Sequence, residues 1–437
     1  MKPVIGLEVH VELKTKSKMF CGCSADYFGQ KPNTHTCPVC LGLPGALPIP
    51  NKTAVEWCVI LGMALNCNIP LFSKFDRKNY FYPDLSKGYQ ISQYDEPFCL
   101  AGNIKLNTGK TIGITRVHME EDTGKLIHGN VDGEEVTLID FNRSGVPLIE
   151  IVTEPDFDNA KDVVDYLKKL QQIVRYLEIS NADMEKGDMR LEPNISLRIP
   201  GQTDLPNYKV EVKNINSFRF VEKAIDFEIK RQTEILEKKA TPLQETRGWN
   251  EAKQKTVSQR VKEEASDYRY FPDPDIPPIR WSRDQLAELK KQIPELPIAK
   301  KGRFISEFQI SEYDSEILTR AIESADYFEE AVRIGKDHNV SPKSLANYII
   351  NKKINLENTL PAELIKAIIS TSSYATIDND KISKVVGEVL AQSPQATNDY
   401  KAGKTQALQF LIGKTMSILK QKIDTRIIIE EINKQLK

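Results

Sequence analysis

The stretch Leu7-Glu8-Val9-His10-Val11-Glu12-Leu13 alternates apolar and polar residues. Successive side chains on a strand point to opposite faces. Leu7, Val9, Val11 and Leu13 therefore share an apolar face, and Glu8, His10 and Glu12 share the other. Two carboxylates around an imidazole offer oxygen and nitrogen ligands to a divalent cation. The same alternation also fits a solvated strand face. A second acidic group lies in RVHMEEDTGK, with His118, Glu120, Glu121 and Asp122. In a third, KVEVKNIN, Glu211 projects opposite Val210 and Val212. Carboxylates gathered with an imidazole suit Mg²⁺ or Mn²⁺, and a hard cation suits phosphate chemistry. Each acidic group taken alone fits an exposed turn or sheet face better than a metal site.

Four cysteines crowd into twenty residues: Cys21-Gly-Cys23, then thirteen residues, then Cys37-Pro-Val-Cys40. Two closely spaced thiol pairs of this kind match a closed tetrahedral Cys₄ zinc site, which is structural because no ligand position stays open. An iron–sulfur cluster and free thiols are the alternatives. Cys58 and Cys67 fall on the apolar helical stretch VEWCVILGMALNC and Cys99 near a loop; these three read as small buried hydrophobes.

The segment KFDRKNYFYPDLSKGYQISQYD interleaves Lys74, Arg77, Lys78 and Lys87 with Phe75, Tyr80, Phe81, Tyr82, Tyr89 and Tyr94. Cations beside aromatic rings suit the phosphates and bases of a nucleotide or an RNA end. A sheet edge with ordinary aromatic packing has the same composition. DFNRSGVPLIEIVTEPD has the same flavour, with Arg143 beside a glycine turn. No Walker loop, GxGxxG fingerprint or GxSxG elbow is present. AGKTQAL at 402–408 keeps only the last residues of a Walker loop, in a helical tail.

The elements that must position these groups fall into two parts. Up to about residue 290, short alternating stretches (VIGLEVHVEL, KTIGITRVHME, EVTLIDFN, ISLRI, YKVEVKN) are separated by Gly, Asn, Asp and Pro. Helical patterns at Asn159–Tyr176 and Phe220–Lys239 interrupt them. This is an α+β layout with mainly antiparallel sheet. The stretch from Pro272 to Pro297 is proline-rich and reads as a linker around a short helix. Beyond about residue 298 the chain reads helical, with SSYATIDNDK as an internal break. NYFYPD (79–84) and YRYFPD (268–273) echo each other weakly.

Composition sets the outer bounds. The chain has 437 residues, enough for two to four domains. Its 60 Lys+Arg against 61 Asp+Glu exclude a globally basic nucleic-acid coat, so any such surface is a local patch. Residues 391–437, with eight basic and four acidic side chains, are locally basic. The apolar runs are too short for a membrane helix, since Glu150 breaks Val146–Val152. The N-terminus has no leader pattern, and seven cysteines are an odd, low count for a disulfide framework, so a cytoplasmic protein is expected.

The segments IGLEVHVELKTKSKMFCGCS, PNTHTCPVCLGLPGALPIPN, KFDRKNYFYPDLSKGYQIS, HMEEDTGK, DFNRSGVPLIEIVTEPD, VEVKNINSFRFVEKAI and KEEASDYRYFPDPDIPP resemble the B subunit of the tRNA-dependent aspartyl/glutamyl amidotransferase (GatB of GatCAB). The likeness runs through residues 1–290 and resumes at ADYFEEAV and DYKAGKTQALQFLIGKTM. It implies three regions: a cradle with the kinase and transamidation site and the Cys₄ motif over 1–290, a helical domain over 291–380, and a YqeY-like helical tail over 381–437 that touches tRNA. It implies that mischarged Glu-tRNA(Gln) or Asp-tRNA(Asn) is phosphorylated on its side-chain carboxylate by ATP. Ammonia from glutamine, made by an amidase-type A subunit, then displaces phosphate, and a small C subunit clasps A and B. By resemblance Glu8, His10, Glu121 and Glu211 match the Mg²⁺ (or Mn²⁺) site, with Glu120 as an extra. Lys78 matches a phosphate-contacting lysine, Arg77 beside it is a further candidate for nucleotide, and Cys21, Cys23, Cys37 and Cys40 match the structural zinc of zinc-bearing members.

The sequence also departs from the family pattern. MRLEPNISLR replaces a commoner Cys-Asp version of that strand, which bears on the surroundings of the site at Leu191–Pro193. KTVSQRVKEEA differs from the usual run before KEEA. The chain between PAELIKAIIS and KISKVVGEVL is shorter than the family's by one or two helices, and MSILKQKIDT lacks the usual glycine. Two other function classes remain. A non-catalytic tRNA-binding module predicts that Glu8→Ala and His10→Ala leave turnover intact. A stand-alone metal-dependent hydrolase predicts activity without partner subunits.

Overall fold

The computed structural model describes residues 1–261, 268–352, 354–372, 379–419 and 425–436. The KEEA motif and the centre of SSYATIDNDK lie outside the described residues. The α+β organisation expected from the sequence is present, followed by a helical C-terminal region.

Alternation in the first strand, Lys2–Glu12, puts it at the heart of an eight-stranded sheet. From one edge the order is Lys255–Val261, Glu245–Asn250, Val210–Lys213, Met189–Arg198, Lys2–Glu12, Pro147–Thr153, Thr111–Glu121 and Cys99–Lys105. Neighbours run antiparallel except Val210–Lys213 and Glu245–Asn250, which are parallel. The apolar set of each strand (Val9, Val11, Val117, Met119, Ile149, Ile151, Leu191) enters one core. Three of the helices that enter that core are capped by an asparagine or a serine. Lys52–Ala64 is capped by Asn51, Ala160–Tyr176 by Asn159 and Phe218–Glu237 by Ser217. Each cap side chain accepts a hydrogen bond from a first-turn N–H that has no partner within the helix.

Burying one face leaves the other to carry the polar residues, and register decides which of them meet. His10 lies opposite Glu150 on one side and Arg190 on the other, and Glu150 lies opposite His118. One step along, Glu8 is opposite Glu192, and Asn194 is opposite Glu211.

Two sequence expectations change, the free linker and the place of Cys67, and a third, the hairpin, becomes specific. EVTLIDFN does form a strand, Glu134–Asp140, but it pairs only with Lys125–Val131 in a separate hairpin. Asp132 and Gly133, both at positive φ, make its tight turn. The proline-rich stretch is no free linker: Ile276 and Leu289 are buried in the first core. There, Ile279–Arg280 pairs with Phe72–Ser73, and the helix Arg283–Lys291 follows. Cys67 lies just past the helix that holds Cys58, not on it.

The chain divides into two compact units, Met1–Lys300 with Arg320–Ile322, and Lys301–Thr319 with Glu323–Lys437. Within the second, one core gathers around Phe304, Phe328 and Leu345, and another around Val386, Leu411 and Ile428. Among the described residues no helix is long and apolar enough to cross a membrane.

Candidate active site and metal centre

Three adjacent strands bring His10, Glu120 and Glu150 together. The His10 Nε2 atom lies 3.5 Å from Glu120 Oε1 and 3.7 Å from Glu150 Oε2, and His118 Nε2 lies 3.1 Å from the same Glu150 oxygen. Both carboxylates are buried. Burial works against the imidazolium of His10, but Glu150, Glu120 and Glu192 outweigh it and push the group up to about 9. Burial likewise opposes the charge of Glu150, yet the two imidazoles hold it well below the usual carboxylate range. Glu120 is pushed up by burial and by Glu150. The arrangement gathers two buried carboxylates around an imidazole that they favour in its charged form.

Beside it stands a second group, Glu8, Glu192 and Glu211, whose oxygens lie within 4.8 Å of one another. The Asn194 side chain donates to Glu8 (3.0 Å), and Thr246 Oγ1 donates to Glu211 (2.8 Å). Lys213 projects to the same face as Glu211 because the two are separated by one residue. Its Nζ is 3.0 Å from Glu192 and 3.2 Å from Glu211. Burial would lower its pKa, but these carboxylates hold it above the ordinary lysine value. A cleft of about 390 Å³, lined by Glu8, Asn194, Thr153, Tyr208 and Lys209, opens beside this group.

Lys78 lies on Asp76–Asn79, in a small sheet with Tyr89–Ser92 and Phe271–Pro272. Its ammonium is 5.0 Å from the Tyr268 ring centroid and 5.8 Å from that of Tyr80. Burial disfavours this charge, and Glu120 and Glu150 compensate by raising its pKa. Lys78 thus belongs to the electrostatic field of the His10 group. Arg77 points the other way. It donates to Asp273 (2.8 Å) and Asp275 (2.9 Å) and lies over the Tyr89 ring at 4.4 Å. The echoed motifs therefore sit side by side, and Asp273 of the second holds the arginine that precedes Lys78.

Glu121, adjacent in sequence to Glu120, faces the opposite side. It pairs with Lys87 and accepts from the Ile91 N–H at 3.0 Å. It lines a cavity of about 120 Å³ with Cys21, Cys40, Lys87, Tyr89 and Gly145. The sulfurs of Cys21, Cys23, Cys37 and Cys40 lie within 4.8 Å of one another. The Cys37 N–H points at Cys40 Sγ (3.1 Å), as in a thiolate-bearing turn. A hydrogen bond from Cys21, aided by Cys37 and Lys18, pulls the Cys40 thiol down to about 4. Four converging sulfurs, one of them already favoured as thiolate, fit a thiophilic metal ion.

Residues 3–287 match the family described as "GatB/GatE catalytic domain", and residues 356–436 match "GatB domain". The chain belongs to the GatB family. It is 45% identical over 479 aligned positions to the aspartyl/glutamyl-tRNA(Asn/Gln) amidotransferase B subunit of Thermoanaerobacter sp. (strain X514), covering 99% of both chains. It is 43% identical to the proteins of that name from Caldicellulosiruptor saccharolyticus and Dehalococcoides mccartyi (strain CBDB1), covering 99% of this chain and 98% of each of theirs. An alignment of 479 positions to a chain of 437 leaves stretches of the relative without a counterpart.

Against the GatB resemblance, the four residues expected at the divalent cation separate. His10 joins Glu120 and Glu150, Glu8 and Glu211 join Glu192, and Glu121 stands in neither group. Three participants were missed. Glu150 read only as the break in an apolar run, although a lone carboxylate in a buried strand is itself a signal. Glu192 lay inside the departure at Leu191–Pro193. Lys213 needed the register to be seen.

Proposed function

We propose that this chain is the amidotransferase subunit that activates and amidates the side-chain carboxylate of mischarged Glu-tRNA(Gln), Asp-tRNA(Asn) or both, as a carbon–nitrogen ligase. The carrying observation is the meeting of His10, Glu120 and Glu150 on one sheet face, with Lys78 in their field, in a chain of the GatB family. A carboxylate is a poor electrophile. Its oxygen attacks the γ-phosphorus of ATP, ADP leaves, and an acyl phosphate results. Ammonia then attacks the acyl carbon, phosphate leaves with one original oxygen, and the nitrogen sheds a proton to give the amide. Such transfer needs positioning and charge neutralisation rather than a protein nucleophile.

The His10 and Glu8 groups are the residues that would hold Mg²⁺ or Mn²⁺, which when bound supplies charge neutralisation on the phosphates. Lys78 contacts phosphate in this reading. Arg77, committed to Asp273 and Asp275, holds the strand that presents Lys78 and does not itself bind nucleotide. Cys21, Cys23, Cys37 and Cys40 hold a structural zinc. Chemistry is assigned to residues 1–290; the helical segment 291–380 and the tail 381–437 serve tRNA. An amidase-type A subunit supplies ammonia, a C subunit joins the two, and the complex works in the cytoplasm.

The test is phosphate release and amide formation by the chain reconstituted with A and C subunits, Glu-tRNA(Gln), ATP, Mg²⁺ and glutamine. His10→Ala is expected to lower turnover by about a hundredfold or more while tRNA binding persists. Equal turnover rejects this face as the site. Phosphate release without tRNA or partners favours a stand-alone hydrolase.

A further inference from the structure

Lys18 has no exposed surface, which is rare for a lysine. Its Nζ donates to the carbonyls of His35 (2.7 Å) and Phe141 (3.3 Å) and contacts Cys40 Sγ at 3.7 Å. No carboxylate pairs with it among the described residues. The nearby Glu121 is paired with Lys87. A buried ammonium held by two neutral carbonyls is short of negative charge. The cysteine group has the complementary excess, because four thiolates around a dication keep a net double negative charge.

We propose that Lys18 is the built-in counter-cation of the Cys21/Cys23/Cys37/Cys40 metal site, and that it ties this site to the turn leading into the Glu150 strand. Phe141 lies in that turn. So does Gly145, whose carbonyl accepts from the Met19 N–H at 2.7 Å. Asn142 accepts from the His35 N–H at 2.7 Å, and Ser144 donates to the Cys40 carbonyl at 3.4 Å. Strand Pro147–Thr153, with Glu150, begins directly after. One ammonium thus bridges the cysteine loop, through His35 and Cys40, and the turn before the Glu150 strand, through Phe141. Lys18 is a positioning residue: it touches neither substrate nor the reacting atoms.

The inference rests on the reading of the cysteines as a zinc site, and the experiment separates the two. Zinc content and zinc transfer to a colorimetric chelator are measured on the full-length chain and on Lys18→Met. Wild type is expected to hold zinc, and the variant to lose it about ten- to a hundredfold faster. The second arm places Lys18→Met in the Cys21→Ser/Cys23→Ser/Cys37→Ser/Cys40→Ser chain and compares melting temperatures. With no thiolate to neutralise, loss of the buried ammonium is expected to be neutral or stabilising, whereas in the cysteine chain it destabilises. Equal zinc release from a zinc-bearing wild type overturns the pairing and leaves the metal site standing. A wild type that takes up no zinc overturns both. Equal destabilisation in the two backgrounds, or failure of the variant to fold in both, reduces Lys18 to a carbonyl anchor and overturns the pairing.

Discussion

The cysteine loop and the polar face of the main sheet concentrate negative charge in opposite ways. The four thiols sit on chain without regular strand or helix, and one buried ammonium, Lys18, lies among them. The carboxylates of the His10 and Glu8 groups stand on five strands whose other faces are locked into the core. Their neutralising groups are several: His10, His118, Lys78 and Lys213. Under the proposed zinc reading this loop would be held together by its ion, whereas the sheet presents its carboxylates through strand pairing whether or not an ion is bound. In that reading one site would contribute order, and the other would be free to exchange its ligand at every turnover.

The largest effect should separate the two sites by activity. Glu150→Gln keeps the shape of a buried side chain that both imidazoles face, but removes the charge. Turnover in the reconstituted complex is expected to drop by about a hundredfold or more with little change in melting temperature. A drop matched by global destabilisation would instead make Glu150 a fold residue.

The cysteines should behave the other way round. Stripping metal with a chelator, or replacing the four by serine, is expected to speed amide exchange over residues 21–43 by about tenfold or more. The amides of Lys2–Glu12, paired on both sides, should keep their protection. Turnover should follow only as far as the Lys18 link loosens the Glu150 strand. If the strand loses protection together with the loop, the two sites are one cooperative unit and the contrast fails.

Lys213 gives a smaller and sharper test, because two roles predict opposite signs. As the cation resting between Glu192 and Glu211, it competes with a divalent ion. Once displaced, it can serve nucleotide phosphate. Lys213→Met is then expected to tighten Mn²⁺ binding by about tenfold, read by calorimetry, while the KM for ATP rises by a similar factor. A purely structural cross-strand pair predicts that both weaken.

The same contrast explains what could be read from sequence. Four cysteines within twenty residues announce themselves because local ligands need no fold to bring them near. Alternation in LEVHVEL gave the correct faces for Glu8, His10 and Glu12, and the helix at Ala160–Tyr176 followed its apolar spacing. The carboxylate partners were harder, because His10 and Glu150 lie 140 positions apart and meet only through register. Glu120 against Glu121 was a question of parity. His118 and Glu120 share a face, so a strand running unbroken to Glu121 sends that last carboxylate to the far side. EVTLIDFN alternates well enough to form a strand, but nothing in it says that its partner is the adjacent hairpin arm rather than the main sheet.

The smallest effect concerns acid stability at the end of the polar face. Arg190 pairs with Asp122 and lies 3.4 Å from Glu12, and Tyr27 donates to Glu12 at 2.9 Å. Burial opposes the charge of Asp122, but Arg143 and Arg190 overcome it and hold the group well below its usual range. Glu12 moves the other way, pushed up by burial and by Asp122. The signs follow. A carboxyl with a depressed folded pKa contributes stability that is present above its unfolded pKa, here roughly 4, and is lost as pH falls towards the folded value. A raised carboxyl contributes below its unfolded pKa and loses that contribution as pH rises. The Asp122 term should therefore cost on the order of 1 kcal/mol on acidification below pH 4, partly offset by Glu12. Arg190→Met removes the main partner of Asp122 on this side. Its melting temperature should lie below wild type at neutral pH, with the gap narrowing as pH drops through 4 to 3. A constant gap across that range would mean that Arg190 acts by packing, and that the charge on this part of the face, like that around His10, does not contribute to folding.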